Sequence, residues 1–112
     1  MLATQILAEV VGTTIFLLAI VSLIFRPSTD PVATSGAVPI YIALGLAVSI
    51  FVASGLGGFA HLNPVVSAVC AANGSVSVTD AITLMAAQFT GGCIAYATWK
   101  SMTRKDSISP TV

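Results

Sequence analysis

Polar positions in this chain fall in clusters, and the clusters mark where helices end. Ile6 to Phe25 is apolar with one charge, Glu9. A helix rises about 1.5 Å per residue, so about 20 apolar residues cross the ~30 Å core of a bilayer. This stretch has that length. Arg26-Pro27-Ser28-Thr29-Asp30-Pro31 stops it, and the small, polar stretch Thr29 to Ala37 is a connector. Val38 to Leu56 is a second, charge-free span, closed by Gly55, Gly57 and Gly58. Thr79-Asp80 offers a helix N-cap, and Ala81 to Trp99 reads as a third span. Lys100, Arg104 and Lys105 then mark a membrane boundary, and Asp106 to Val112 reads as a disordered tail. The pattern predicts one membrane unit over residues 1–99 and a basic, then polar, tail over 100–112.

One apolar segment is too short for this scheme. Leu62 to Ala72 is apolar except for Asn63 and Ser67. Asn63 suits an N-cap and Pro64 the first helical position. Asn73-Gly74 is a helix stop, with Gly able to turn left-handed. The helix so bounded, Pro64 to Ala72, is about 13 Å long, under half a bilayer. It could lie on the membrane surface or dip into the membrane and return. An interfacial helix shows a charged face, and this segment has no charge on any face. The expectation is a re-entrant half-helix, tolerated where protein or a water-filled cavity surrounds its ends.

Composition narrows the class. Of 112 residues, 56% are hydrophobic and 7% charged, with zero formal net charge. Soluble domains carry about 25% charged residues. A soluble enzyme, a disordered segment and a nucleic-acid binder with a basic patch are all disfavoured. The first span lacks a basic start and carries Glu9, which argues against a signal peptide. Cys70 and Cys93 with a single histidine match no zinc spacing and read as buried apolar side chains. No nucleophile constellation accompanies Glu9 and His61, so an enzyme is not expected, nor a cofactor. Asn73-Gly74-Ser75 matches a glycosylation acceptor but reads first as the turn that ends the half-helix. Small residues recur every four positions: Gly45, Ser49, Ala53 and Gly57 on the second span, Ala87, Gly91 and Ala95 on the third. Such seams let helices approach closely in lipid.

A half-helix that starts in mid-membrane presents free N–H groups and a partial positive charge. The Asn63 amide adds further donors. That is pore chemistry, favourable to a water or hydroxyl oxygen and hostile to cations and protons. The residues His61-Leu62-Asn63-Pro64-Val65-Val66-Ser67 resemble the signature loop of the aquaporin (major intrinsic protein) family, usually Asn-Pro-Ala, with Val65 here in place of Ala and Ser67 in place of Thr. Ala8-Glu9 followed by Gly12-Thr13 resembles the family's first-helix motif, and Gln88 with Gly91 and Gly92 its third-helix motif. The motifs stand in order over Ala8 to Gly92.

The resemblance implies an all-α membrane protein: three transmembrane helices plus one re-entrant half-helix, half of an aquaporin-like bundle. It implies a multi-pass channel for water and small neutral solutes such as glycerol. It places Asn63, Pro64, Val65, Val66 and His61 at the pore loop, with Glu9 and Gln88 supporting it. The family has two such halves in one chain, and this chain has one. An inverted second copy would complete the pore, or a complementary half-channel chain would supply the rest. The competing function is a non-conducting or partner-dependent subunit that associates with another aquaporin-like chain.

Two further expectations concern selectivity and orientation. The position matching the family's filter arginine is Val66, and the second-helix filter position aligns to Leu44 across a one-residue gap. A homomeric pore would have an apolar filter, less strict than a pure water channel. With three spans, all four Lys and Arg residues lie on the side of the first loop and C-terminus, which the positive-inside rule puts in the cytoplasm. The signature loop most resembles the family's first half, whose N-terminus is cytoplasmic. The two indications conflict.

Overall fold

The computed structural model describes residues 2–106, with side chains through residue 104. All regular structure among the described residues is helical: α1 (Leu2–Ile24), α2 (Pro31–Thr34), α3 (Val38–Gly55), α4 (Pro64–Ala72) and α5 (Val78–Asp106). Local chemistry sets most of these limits. Asp30 caps α2 by accepting the Val32 N–H at 2.8 Å, with Pro31 in the first turn. This single turn lies inside the segment expected to be a plain connector. α3 ends at Gly55, and Gly57 follows in a turn at φ +83°. α4 is capped by Asn63 and ends at Asn73, with Gly74 left-handed at φ +79°.

α5 differs from the sequence expectation at both ends. Its cap is Ser77, whose Oγ accepts the Asp80 N–H at 3.0 Å, rather than the Thr79-Asp80 pair. The helix also continues past Trp99 to Asp106, because Lys and Arg are good helix formers and no breaker intervenes. The rest of the expected tail, 107–112, lies outside the described residues.

α1 and α3 are long and apolar enough to cross a membrane. α5 is longer, but Thr83, Gln88, Thr90, Gly91, Gly92 and Thr98 dilute its hydropathy.

α1 is the central element, packed against both α3 and α5, while α4 packs on α5. Gly12 faces Ala53, and Ala19 faces Gly45, so α1 and α3 run antiparallel. Thr14 bonds Gly91, and Phe25 packs against Trp99, so α1 and α5 run parallel. Small residues permit this closeness. A Cβ on Gly91 would lie 2.7 Å from the Val10 carbonyl oxygen. Thr14 Oγ1 donates within its own helix to Val10 O at 2.7 Å and reaches Gly91 O at 3.2 Å. Ser49, Ala53, Ala87, Gly91 and Ala95 are all buried. Gly57 departs from the expected seam: it is exposed beyond α3, with nothing within 4 Å of its Cβ position.

Polar side chains are buried between the helices while large apolar ones face outward. Glu9, Thr13, Ser49, Ser67 and Gln88 are buried, while Phe51 is 81% and Phe89 68% exposed. Water would drive the opposite arrangement. A lipid surround reverses it, because tails solvate phenylalanine and cannot hydrogen-bond a carboxylate.

Candidate pore-loop site

The loop entering α4 has an unusual backbone. Ala60 and Leu62 adopt positive φ of 55° and 54° on either side of His61. Such conformations cost roughly 1–3 kcal/mol each for residues with a Cβ. Glu9, fully buried on α1, offsets this cost. Its Oε1 accepts the His61 N–H at 2.6 Å, and its Oε2 accepts the Leu62 N–H at 2.7 Å. Leu62 plugs the space between Gly12 and Ala53.

Gln88 on α5 ties the loop to the half-helix. Its Nε2 donates to Glu9 Oε2 and to Ser67 Oγ, both at 2.9 Å. Ser67 Oγ also lies 3.0 Å from His61 Nδ1. The His61 ring stacks on Phe59 with centroids 5.6 Å apart. Among the described residues, Glu9 thus has three N–H donors and no cationic partner. Such bonds satisfy a buried carboxyl group where no bulk water reaches it.

At the tip, Asn63 is extended at φ −151°, and its Oδ1 accepts the Val65 N–H at 2.9 Å. Oδ1 is spent on the cap, so the amide NH₂ remains as an outward donor. Asn63, Val65 and Val66 are exposed, at the end of α4 where backbone N–H groups lack intrahelical partners. Pro64 shares a groove of about 390 Å³ with Thr13, Leu17, Gln88, Phe89 and Cys93. Thr13 is the central residue of α1, so the tip stands at mid-height, with about 16 Å of helix on either side. Gln88 Oε1 and Thr13 Oγ1 are buried in this region without a hydrogen-bond partner. Leu44 stands apart from the network, exposed on α3.

The family model for the major intrinsic proteins matches residues 1–111. The chain belongs to the major intrinsic protein family. Members of the family are membrane channels for water or small solutes rather than enzymes, so this chain is an integral membrane protein of channel type. No curated protein and no solved structure matches it.

In this major intrinsic protein chain, sequence reading passed over two contributors to the site. Ser67 joins Gln88 to His61, and its one sequence signal is that it is the sole polar side chain within α4. Thr13 was noted in a motif, but its unpartnered hydroxyl beside Pro64 emerges only from helix packing. Both cysteines are free: Cys70 is half-buried, and Cys93 is exposed rather than buried as expected.

Proposed function

We propose that this chain is a half-channel subunit forming a passive pore for water and small neutral solutes when a second half joins it. In this reading α1, α3 and α5 span the bilayer, and α4 is re-entrant. The observation that carries it is the α4 tip: an N-terminal helix end with a free Asn63 amide at mid-height of α1, held there by Glu9. There the tip would donate hydrogen bonds to a passing oxygen, and its positive end would oppose cations and protons.

Two observations support oligomerisation. The tip is exposed, and bare helix ends do not face hydrocarbon. The groove beside Pro64, about 390 Å³ and walled by Leu17, Phe89 and Cys93, also leaves room for a second chain to pack. An inverted second copy would cover both. Pro64, Val65, Val66 and His61 would then line or shape the path, with Leu44 at its apolar filter. Without an arginine at Val66, the pore would pass glycerol as well as water.

The alternative reading, a partner-dependent or non-conducting subunit, is favoured by one observation. Phe25 packs against Trp99 with tilted rings at 4.9 Å, which gathers Arg26 and Lys100 at one end of the molecule. Such an asymmetry selects one orientation, and an inverted pair needs two.

Stopped-flow light scattering of liposomes holding the pure chain tests the proposal. Faster osmotic shrinkage than empty vesicles, with a low activation energy and measurable glycerol entry, is expected. Shrinkage no faster than empty vesicles, with folded protein confirmed, would leave the alternative.

A further inference from the structure

Four hydroxyls in this chain's helices share one bond, and buried Ser67 does not make it. Thr14, Ser49, Thr83 and Thr90 each donate to the carbonyl four residues back, at 2.7–2.9 Å. That bond is the standard outlet for a helical Ser or Thr. Ser67 makes no such bond to Asn63 O, although its backbone N–H does, at 3.2 Å. It is fully buried, so its hydroxyl proton needs an acceptor.

Its two side-chain neighbours differ in what they can do. Gln88 Nε2 faces the Glu9 carboxylate, an acceptor, so the amide is oriented with its NH₂ inward. The same NH₂ donates to Ser67 Oγ. Ser67 therefore accepts from Gln88, and its proton has one remaining outlet, His61 Nδ1 at 3.0 Å. An imidazole nitrogen that accepts carries no proton, and in the neutral ring the other nitrogen carries it.

We infer that Glu9, Gln88 and Ser67 form a one-way relay that fixes His61 as the Nε2–H tautomer, making it a standing hydrogen-bond donor beside the pore loop. Nε2 has no protein partner among the described residues. His61 stands two residues before Asn63, whose amide NH₂ is also free. The loop then offers donors to whatever passes and withholds ring acceptors. The ring thereby favours neutral solutes that bring oxygen acceptors, such as hydroxyls and carbonyls. In the pore His61 is a specificity-determining residue, and Ser67 and Gln88 are positioning residues. The selectivity part rests on the channel reading above; the tautomer part does not.

His61 is the chain's one histidine, so its two ring nitrogens can be read without assignment. Imidazole ¹⁵N spectra of the labelled full chain in lipid at neutral pH are expected to show a protonated Nε2 and a bare Nδ1. In Ser67→Ala, Nδ1 loses its donor, and both resonances move toward the averaged values of exchanging tautomers. Ser67→Thr keeps the hydroxyl and restores the split. A protonated Nδ1, an averaged pair or an imidazolium in the native chain overturns the inference, whatever the variants do. Parallel liposome assays separate the two levels. A native chain with the Nε2–H signature that conducts nothing removes the selectivity role and retires the channel reading, while the relay stands. A conducting chain with an averaged tautomer refutes the relay and spares the channel.

Discussion

Glu9 and Asp30 are carboxylates in opposite settings. Asp30 is in the loop after α1, where chiefly the Val32 N–H holds its carboxyl below the ordinary 3.8, against the opposing effect of desolvation and with help from the Arg26 guanidinium. A folded value below the unfolded one stabilises the fold fully above the unfolded value. That contribution is lost as pH falls through the folded value. The α2 turn is therefore expected to loosen only in acid, below about pH 4. The Val32 amide shift should titrate with it, and Asp30→Asn should remove the dependence. The Arg26–Asp30 pair itself, at 2.9 Å and partly exposed, adds little. Glu9 instead serves three buried donors. Glu9→Ala strands the His61 and Leu62 N–H groups and frees the Gln88 amide. An orphaned buried donor costs about 1–3 kcal/mol, so a loss of roughly 3 kcal/mol or more is expected in reversible unfolding in detergent. Glu9→Gln should lose less. The importance of Glu9 was legible in the sequence because a lone charge in an apolar span needs a partner. The resemblance named the pore loop as that partner, but which amides donate was not legible, because they lie 52, 53 and 79 residues away.

Elements were legible where their signals were local. Asn63-Pro64 and Asn73-Gly74 gave both ends of α4 because cap and stop chemistry sits within a few residues of the ends. The start of α5 was misplaced because Ser77, Thr79 and Asp80 are all good cap residues, and only geometry chooses among them. Its far end was only partly legible: Lys100, Arg104 and Lys105 mark a membrane boundary in the sequence, yet such residues favour helix and α5 runs on through them to Asp106. Asn63→Ala removes the cap, and about 1 kcal/mol of α4 stability should go with it. Faster amide exchange confined to α4 would report this, and Asn63→Asp, which keeps an acceptor, should retain the protection. The α1–α5 contact is set by Gly91. Gly91→Ala puts a methyl 2.7 Å from a backbone oxygen that cannot rotate away. The helices must separate, costing about 1–3 kcal/mol, and the lower melting temperature should come with loss of the Thr14–Gly91 bond.

At the scale of the whole molecule, one end carries the aromatic and cationic residues. Trp99 lies between Phe25 and Tyr96, at 4.9 and 6.0 Å, and Lys100 sits 5.8 Å from the Tyr96 ring. Tryptophan and tyrosine gather where lipid headgroups begin. Neutralising Lys100 and Arg104 to glutamine is therefore expected to weaken the orientation bias. A topology reporter fused after residue 112 should then divide more evenly between the two faces. The groove beside Pro64 was illegible in the sequence, since it takes α1, α4 and α5 together to bury Gln88 Oε1 and Thr13 Oγ1 without partners.

The order in which the chain is made turns the Glu9 network into a problem of biogenesis. Glu9 emerges from the ribosome first, and all three of its donors are synthesised later, Gln88 last, 79 residues on. Until α5 inserts, the pore loop has neither its amide clamp nor the helix that α4 packs against. The first helix must wait at the insertion machinery or near lipid headgroups, where water can solvate its carboxylate. Release of the chain into the bilayer and closure of the loop are thereby timed by the last helix.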